Sequence, residues 1–509
     1  MQQKRLAAID IGTNSIRCII VEVTDAGKFK VLDDEKASVR LGEGLAKGGE
    51  ISPSSRQRTI EALIRMKKII DGYGVKAIEA VATSAVRRAL NGRAFVREIA
   101  DEVGINVTIN TGEEEAELAS LSVLNNFDME GIRYAMVDLG GGSMEIVAAL
   151  GSHIEELYSL DLGAVLLTEK FLAQDPLHAN DYRKMRKYIR NSLREVLDGD
   201  EIIPSCLVGS GGTITSIASM VMAMRKEEYG SVHGYEVFRW EVVHLLAMLL
   251  RKDLQGRRTV PGLNPDRADI IVAGVAVVDE LMEFFGVNLL RINERGIREG
   301  LIIKSSRKHE LMPAVTKTRS WRDAVMEFAR SCHVEEGHSL QVARLSCEIF
   351  AVIYPGFGLG ERERQMLEAA ALLHDTGYFI SYDGHHKHSY HLIRHADLFG
   401  FTPRERELVA NIARYHRKSL PKKKHDSFAR LLSEDRLLVG RLAGILRLAD
   451  GLDRRRNSLV DSLHCTLSDS VFHVILHGES DLSVELFGGK MKGDLFETSF
   501  DRKLVLTVQ

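Results

Sequence analysis

Three glycine turns and two aspartates define the chemistry this chain can attempt. Gly12-Thr13-Asn14-Ser15, Gly140-Gly141-Gly142-Ser143 and Gly209-Ser210-Gly211-Gly212-Thr213 each follow an apolar run that reads as a strand. Such turns let successive backbone N–H groups point into one concavity, which suits a phosphoanion. The third turn leads into a helix beginning near Thr213, whose N-terminus adds its dipole. One glycine turn alone is explained by positive φ. Three in the same strand context, two of them preceded by an aspartate, call for more than that. Asp10 and Asp138 have a separate task, because a carboxylate repels phosphate unless a cation lies between. They imply a hydrated Mg²⁺ held by few protein carboxylates, with Glu145 on the next strand pointing back to the same ion. Turn capping for Asp138 and a surface position for Glu145 are the competing explanations.

A proton acceptor and a cation complete the set. Thr111-Gly112-Glu113-Glu114-Glu115-Ala116-Glu117 opens a helix, where acids in the first turn are favoured by the macrodipole. Three consecutive acids point in three directions, so one could face a cleft and take a proton from an attacking water. Spacing alone does not select among them. Arg87, after the Thr83-Ser84 turn, and Arg267, after Pro261-Gly262-Leu263-Asn264-Pro265, offer planar forks for phosphate oxygens. A surface salt bridge is the plainer reading for Arg267 and an equal one for Arg87.

The elements that must position these residues alternate strand and helix through the first three hundred residues. Leu6 to Ile11, Arg17 to Val23 and Phe29 to Glu35 read as strands, with a turn at Asp25-Ala26-Gly27-Lys28. Ser55 to Tyr73 carries helical spacing, followed by a strand from Ala77 to Ala82, a helix, a short strand from Val107 and the acidic helix. After Asn125 the alternation restarts with Tyr134 to Leu139, Glu145 to Leu150 and His153 to Leu160. Ile9-Asp10-Ile11-Gly12-Thr13-Asn14-Ser15 and Val137-Asp138-Leu139-Gly140-Gly141-Gly142-Ser143 share the pattern apolar-Asp-apolar-Gly-x-x-Ser. That internal echo implies two similar half-domains, each presenting a strand-turn-strand to a common cleft.

Past Ile303 helices dominate and histidines gather. His338, the His374-Asp375 pair and Asp450 lie on predicted helices, where inward-facing ligands can converge on a divalent ion. His388, His391 and His416 could add a second metal position, although solvated or packing histidines is the plainer account. A basic run from Arg414 through Lys424, continued by Arg430 and Arg454 to Arg456, offers a track for a polyanion. Aromatic residues are sparse there, which disfavours stacking on nucleic acid. From about Leu463 the segments FHVILHG, DLSVELFG and KLVLTVQ read as short strands of a small closing β unit.

At 509 residues the chain is long enough for several domains, and 45% hydrophobic with 27% charged residues is a soluble globular composition. The formal charge of −3 identifies no partner. No apolar run approaches the roughly 18 residues that span a bilayer, and no secretory signal is evident. Five scattered cysteines without a CxxC pair fit reduced thiols in the cytoplasm.

AAIDIGTNSIR, VATSAVRRALN, TGEEEAEL, MVDLGGGSMEIV, LVGSGGTITSIA, PGLNPDRADIIVAG and RGIREGLI together resemble the exopolyphosphatase and guanosine pentaphosphate phosphatase family. That family lies within the sugar kinase, actin and chaperone ATPase superfamily, and the matching pieces cover residues 5–303. The resemblance implies an α/β fold of two actin-like (ribonuclease H-like) half-domains over residues 1–124 and 125–304. A helical HD-like domain would follow over 305–460 and a small β or α/β domain over 461–509. It implies Glu115 as the catalytic base, Asp138 and Glu145 as Mg²⁺ ligands, and Arg87 with the glycine loops as the phosphate grip. The implied reaction is hydrolysis of a terminal phosphoanhydride on inorganic polyphosphate, releasing orthophosphate, or of the 5′ γ-phosphate of guanosine pentaphosphate. A homodimer is implied, and a second divalent metal could occupy the HD-like domain. A non-catalytic regulator that binds an alarmone or polyphosphate is the reading from another class.

Overall fold

A computed structural model of the chain describes residues 5–24, 29–75, 77–197, 203–311 and 320–509. The turn expected at Asp25-Ala26-Gly27-Lys28 lies outside the described residues. The chain divides into two compact units, Met1–Thr318 and Arg319–Gln509.

The first unit contains one topology twice. Strands β1 (Arg5–Ile11), β2 (Ser15–Val23), β3 (Phe29–Ser38), β4 (Ala77–Ala82) and β5 (Val107–Ile109) form a sheet in the order β3-β2-β1-β4-β5. The first three run antiparallel, and β4 and β5 are parallel to β1. Strands β6 (Arg133–Leu139), β7 (Met144–Leu150), β8 (His153–Leu160), β9 (Cys206–Ser210), β10 (Glu236–Phe238) and β11 (Leu289–Ile292) form the second, in the order β10-β11-β9-β6-β7-β8. Apart from edge strand β10, order and direction repeat those of the first sheet.

The sequence echo is thus the visible part of a structural duplication, and strand parity explains what it positions. Side chains alternate between sheet faces along a strand. Ala7, Ile9 and Ile11 pack into a core shared with the Pro53–Gly72 helix, whereas Leu6 and Ala8 enter another cluster. In the second sheet Ala135, Val137 and Leu139 join their own core, and Tyr134 and Met136 enter that same other cluster. This shared layer lies between the sheets and holds two helices, Gly112–Asn126 and Gly296–Lys308. Asp10 has the parity of Leu6 and Ala8; Asp138 has that of Tyr134 and Met136. Both carboxylates are therefore aimed from opposite sheets at the end of one apolar layer.

The two helices of that layer are packed closely. A methyl group on Gly300 would lie 1.8 Å from the Leu118 carbonyl oxygen. Beside this contact the buried Glu299 carboxylate accepts from Ser122 Oγ at 2.7 Å, Asn125 Nδ2 at 3.3 Å and Arg295 Nη1 at 3.2 Å, and also from Asn126. A buried charge is tolerated when it is satisfied in this way.

In the second unit the helices Glu336–Ile353, Glu361–Leu373, His385–His395, Pro403–Arg414 and Ser433–Gly451 surround a core. Strands β12 (Ser462–Leu467), β13 (Val471–His477) and β14 (Lys503–Val508) form a three-stranded sheet whose Phe472, Val474, Leu476 and Leu506 belong to the same core. DLSVELFG is not a strand: Ser483–Lys492 is helical. Its apolar alternation at Leu482, Val484 and Leu486 mimics period two. The positions that turn inward, however, are Leu482, Glu485, Gly488 and Gly489, a helical spacing, and Glu485 is held there by Arg455. Among the described residues, no helix is long and apolar enough to cross a membrane.

Gly300→Ala must push the two helices of the shared layer apart. Its expected cost is about 1–3 kcal/mol or more, as for other overpacked sites, seen in calorimetry as a lowered unfolding transition. A wild-type transition temperature would show that the helices do not depend on this approach.

Candidate active site

The turns after β1 and β6 close alike, with Gly12 N–H donating to Ser15 O and Gly140 N–H to Ser143 O, both at 3.1 Å. The third turn is built differently. Gly211 has φ +99°, and a Cβ there would meet the Leu139 carbonyl oxygen at 2.4 Å. Only glycine lets β9 run this close to β6 before the Gly212–Arg225 helix starts. The three turns border one cleft of about 120 Å³. Its walls include Asp10, Gly12, Thr13, Asn14, Ser15, Glu115, Asp138, Gly140, Gly141, Gly142, Ser143, Glu145, Gly211, Gly212 and Arg267. Thr213 lies behind this wall, where its Oγ1 accepts from Arg267 Nη2 at 3.2 Å.

Helix geometry separates the three acids left open by spacing. Glu113 is exposed, and the Glu114 side chain returns to the Thr111 N–H as half of a capping box, with Thr111 Oγ1 accepting from Glu114 N. Glu115 is 2% exposed and lines the cleft. Arg87 sits behind it, donating to Glu115 and, at 2.7 Å, to the Asn110 carbonyl. Arg87 thereby aims the carboxylate and is not among the residues lining the cleft.

Strand register explains an arginine that sequence inspection did not single out. Asp138 lies opposite Glu145 across β6 and β7, and Asp10 lies opposite Arg17 across β1 and β2. The spacing from aspartate to partner is the same in both halves, so aligning the two echoes would have exposed Arg17. Arg295 and Arg298, which also line the cleft, come from the Gly296–Lys308 helix and the turn before it. They carry no repeat signal. Arg298 is anchored on Asp34, and Arg40 Nη1 donates to Asp269 at 3.0 Å.

Four acids face one another here, and burial dominates their electrostatics. Burial and then the Glu145 charge push the Glu115 carboxyl up to about 9, against the opposing pull of Arg87. Burial and then Asp138 raise Glu145 to about 8, although Ser159 Oγ donates to it at 3.1 Å. Burial, followed by Asp138, raises Asp10 to about 6. Burial also raises Asp138, opposed by the Ser210 hydroxyl at 2.9 Å. Among the described residues the buried Asp10 Oδ1 has no hydrogen-bond partner. Crowded, incompletely satisfied carboxylates are the donor set of a hard divalent cation.

A duplicated α/β unit that brings backbone amides, arginines and a buried carboxylate to one cleft suits an enzyme of phosphoryl transfer. Residues 19–309 match the Ppx/GppA phosphatase family, and residues 322–485 match domain III of the Ppx/GppA phosphatases. The chain belongs to the Ppx/GppA phosphatase family and is a phosphoanhydride hydrolase. Exopolyphosphatase 2 of Mycobacterium tuberculosis is 32% identical to it over 317 residues, 60% of this chain and 99% of that protein. The crystal structure of the Aquifex aeolicus member of the Ppx/GppA family is 30% identical. It covers 60% of this chain and 98% of its own, with a TM-score of 0.52. The crystal structure of an exopolyphosphatase from Cytophaga hutchinsonii is 25% identical, with a TM-score of 0.57, covering 61% of this chain and 100% of its own.

In the second unit, His338, His374, Asp375 and Asp450 are buried and adjacent. His338 Nε2 lies 3.4 Å from Asp450 Oδ1, and His374 Nε2 lies 3.6 Å from Asp375 Oδ2. His416 joins the cluster. His388 is half-buried and His391 exposed, and neither is in a group of ligating atoms; the histidine on that helix that joins is His385. The expected basic track is interrupted, since Arg455 is paired with Glu485 and Arg456 with Asp375 and Glu335.

The raised carboxyls link stability to pH. In the unfolded chain these groups ionise near 4, so at higher pH the folded state holds more protons than the unfolded one. The contribution of these groups to stability then falls as pH rises from about 4 through about 9. In chelator, Glu145→Gln is expected to flatten this decline in urea unfolding, and Mg²⁺ to flatten it in the wild type. Equal slopes for the variant and the wild type would mean that Glu145 is not proton-linked to folding.

Proposed function

We propose that this chain is a Mg²⁺-dependent exopolyphosphatase, cleaving the terminal phosphoanhydride of inorganic polyphosphate to release orthophosphate. The observation that carries this reading is the cleft wall. Backbone turns and Arg17, Arg267, Arg295 and Arg298 surround Glu115, and no aromatic ring is among the lining residues. A string of phosphates offers charge and oxygen acceptors at every position, which a wall of backbone amides and arginines matches. The names of the Mycobacterium and Cytophaga relatives point the same way.

In this mechanism the glycine turns and arginines bind the terminal phosphoryl group and neutralise charge on its equatorial oxygens. Glu115, aimed by Arg87, takes a proton from water as the water oxygen bonds to phosphorus. The bridging P–O bond breaks, and the shortened chain leaves with its electron pair. Burial and the Glu145 charge raise the proton affinity of Glu115, so it is a strong acceptor once ionised, and a cation held at Asp138 and Glu145 would favour that ionised form. Asp138 and Glu145, with Asp10 adjacent, would hold the magnesium, which supplies positive charge to the phosphate oxygens when bound. The second unit is read as an HD-like domain holding a divalent ion at His338, His374, Asp375 and Asp450. The unpaired thiols fit a cytoplasmic setting.

Phosphate release from defined polyphosphate chains is expected to fall by about 10²–10⁴-fold in Glu115→Gln, and to require Mg²⁺ in the wild type. Faster release from guanosine pentaphosphate than from polyphosphate would favour the nucleotide substrate instead. Binding without turnover of either would make the protein a sensor.

A further inference from the structure

Arg40 has φ +48° although it is not a glycine. That left-handed region is uncommon for a long side chain and persists only where the surroundings enforce it. Here they do. The Arg40 N–H donates to the Asn14 carbonyl at 2.9 Å, and the Arg40 carbonyl accepts from Ser55 Oγ at 3.2 Å. Two residues on, Gly42 N–H donates to the Thr13 carbonyl at 2.8 Å. Arg40 is thereby tied to the first glycine turn, whose Thr13 and Asn14 line the cleft. From this anchored backbone the side chain reaches the other half of the unit. Nη1 donates to Asp269 Oδ2 at 3.0 Å and Nη2 to the Asp266 carbonyl at 3.3 Å.

Those two acceptors stand on either side of Arg267 in the chain. Arg267 is 8% exposed, and its Nε has no hydrogen-bond partner among the described residues. A Cβ at Gly212 would lie 2.4 Å from Nη1, so the guanidinium lies directly against the third glycine turn. Burial and then the Arg17 charge pull Arg267 down to about 10, and the Asp269 charge opposes them. The segment that carries it, Pro265–Arg267, is one turn of 3-10 helix. So short a turn has little stiffness of its own. Its direction depends on what holds its ends.

We propose that Arg40 is a positioning residue that brackets residues 266–269, fixes Arg267 relative to the first glycine turn, and thereby sets how long a phosphate chain is retained between successive cleavages. This rests on the polyphosphate reading above and extends it. The Arg40 and Asp269 side chains are 42% and 34% exposed. An ion pair in that setting is weak and screened by salt, so the bracket opens and reforms readily as a chain advances. Arg40 is not among the residues lining the cleft. Its effect therefore falls on binding and not on the chemical step.

The test measures orthophosphate release from polyphosphate of defined length, with gels of the remaining chains, in the full-length wild type, Arg40→Gly, Asp269→Asn and the double variant. Glycine takes a φ of +48° without strain, so Arg40→Gly should unfold at no lower temperature than the wild type. Each single variant should raise KM about fivefold, the scale of one half-exposed ion pair, with kcat within about twofold. Each should also leave more chains of intermediate length than the wild type does. The double variant should be no worse than either single one. The sign at Asp269 is decisive, because removing a negative charge by itself favours a polyanion. A lower KM in Asp269→Asn beside a higher one in Arg40→Gly would make Arg40 a direct phosphate contact and overturn the bracket. Unchanged KM in both would overturn it as well. No release from polyphosphate by the wild type would instead overturn the polyphosphate reading, and the same KM comparison on guanosine pentaphosphate would then decide the bracket.

Discussion

Crowding of buried negative charge is the constraint on which the first unit depends. Asp10, Asp138, Glu145 and Glu115 are brought together at the end of an apolar layer, where burial raises the proton affinity of all four and a neighbouring acid adds to it at Asp10, Glu145 and Glu115. Arg87, Ser159 and Ser210 offset part of the cost. What is left unbalanced is functional: a site with excess acid on one side and arginines on the other is prepared for a cation and a polyanion arriving together. Either ligand alone would meet repulsion from part of the wall.

Duplication supplies this polarity economically in structural terms. Both halves present an aspartate at the same strand parity and a glycine turn closed by the same backbone bond. The residue across the ladder from that aspartate differs, arginine in one half and glutamate in the other. A single exchange at equivalent positions thus makes one sheet cationic and the other acidic beside the same cleft. The fold is nearly symmetric and its electrostatics are not.

Much of this was legible in the sequence because it is local. Glycine turns, preceding aspartates and the echo between halves are short patterns, and strand parity then dictates where the aspartates point. Selection of Glu115 among three acids needed the helix to be placed, since neighbouring helical residues point about 100° apart. Arg298 was not legible, because a residue far along the chain enters the cleft only through tertiary packing of its helix. The segment around Glu485 misled for the opposite reason: its apolar alternation was real, but a buried ion pair and two small glycines decided which face turned inward. His385 was passed over because its place beside Asp375 follows from where its helix begins, after Gly384 at φ +70°.

The acidic helix shows how these levels combine in one residue. Its capping box fixes the backbone of the first turn, and with it the direction in which the Glu115 side chain leaves the helix. The N-terminal dipole favours the charged carboxylate, while burial and Glu145 favour the neutral one. Arg87 adds to the first tendency and fixes direction. The bonds of Glu299 to Ser122, Asn125 and Asn126 tie this helix to its neighbour and oppose a withdrawal that would relieve the crowding. The proton affinity of Glu115 is therefore not a property of the glutamate alone. It results from a carboxylate that packing keeps from the solvent that would lower that affinity, opposed in part by its arginine.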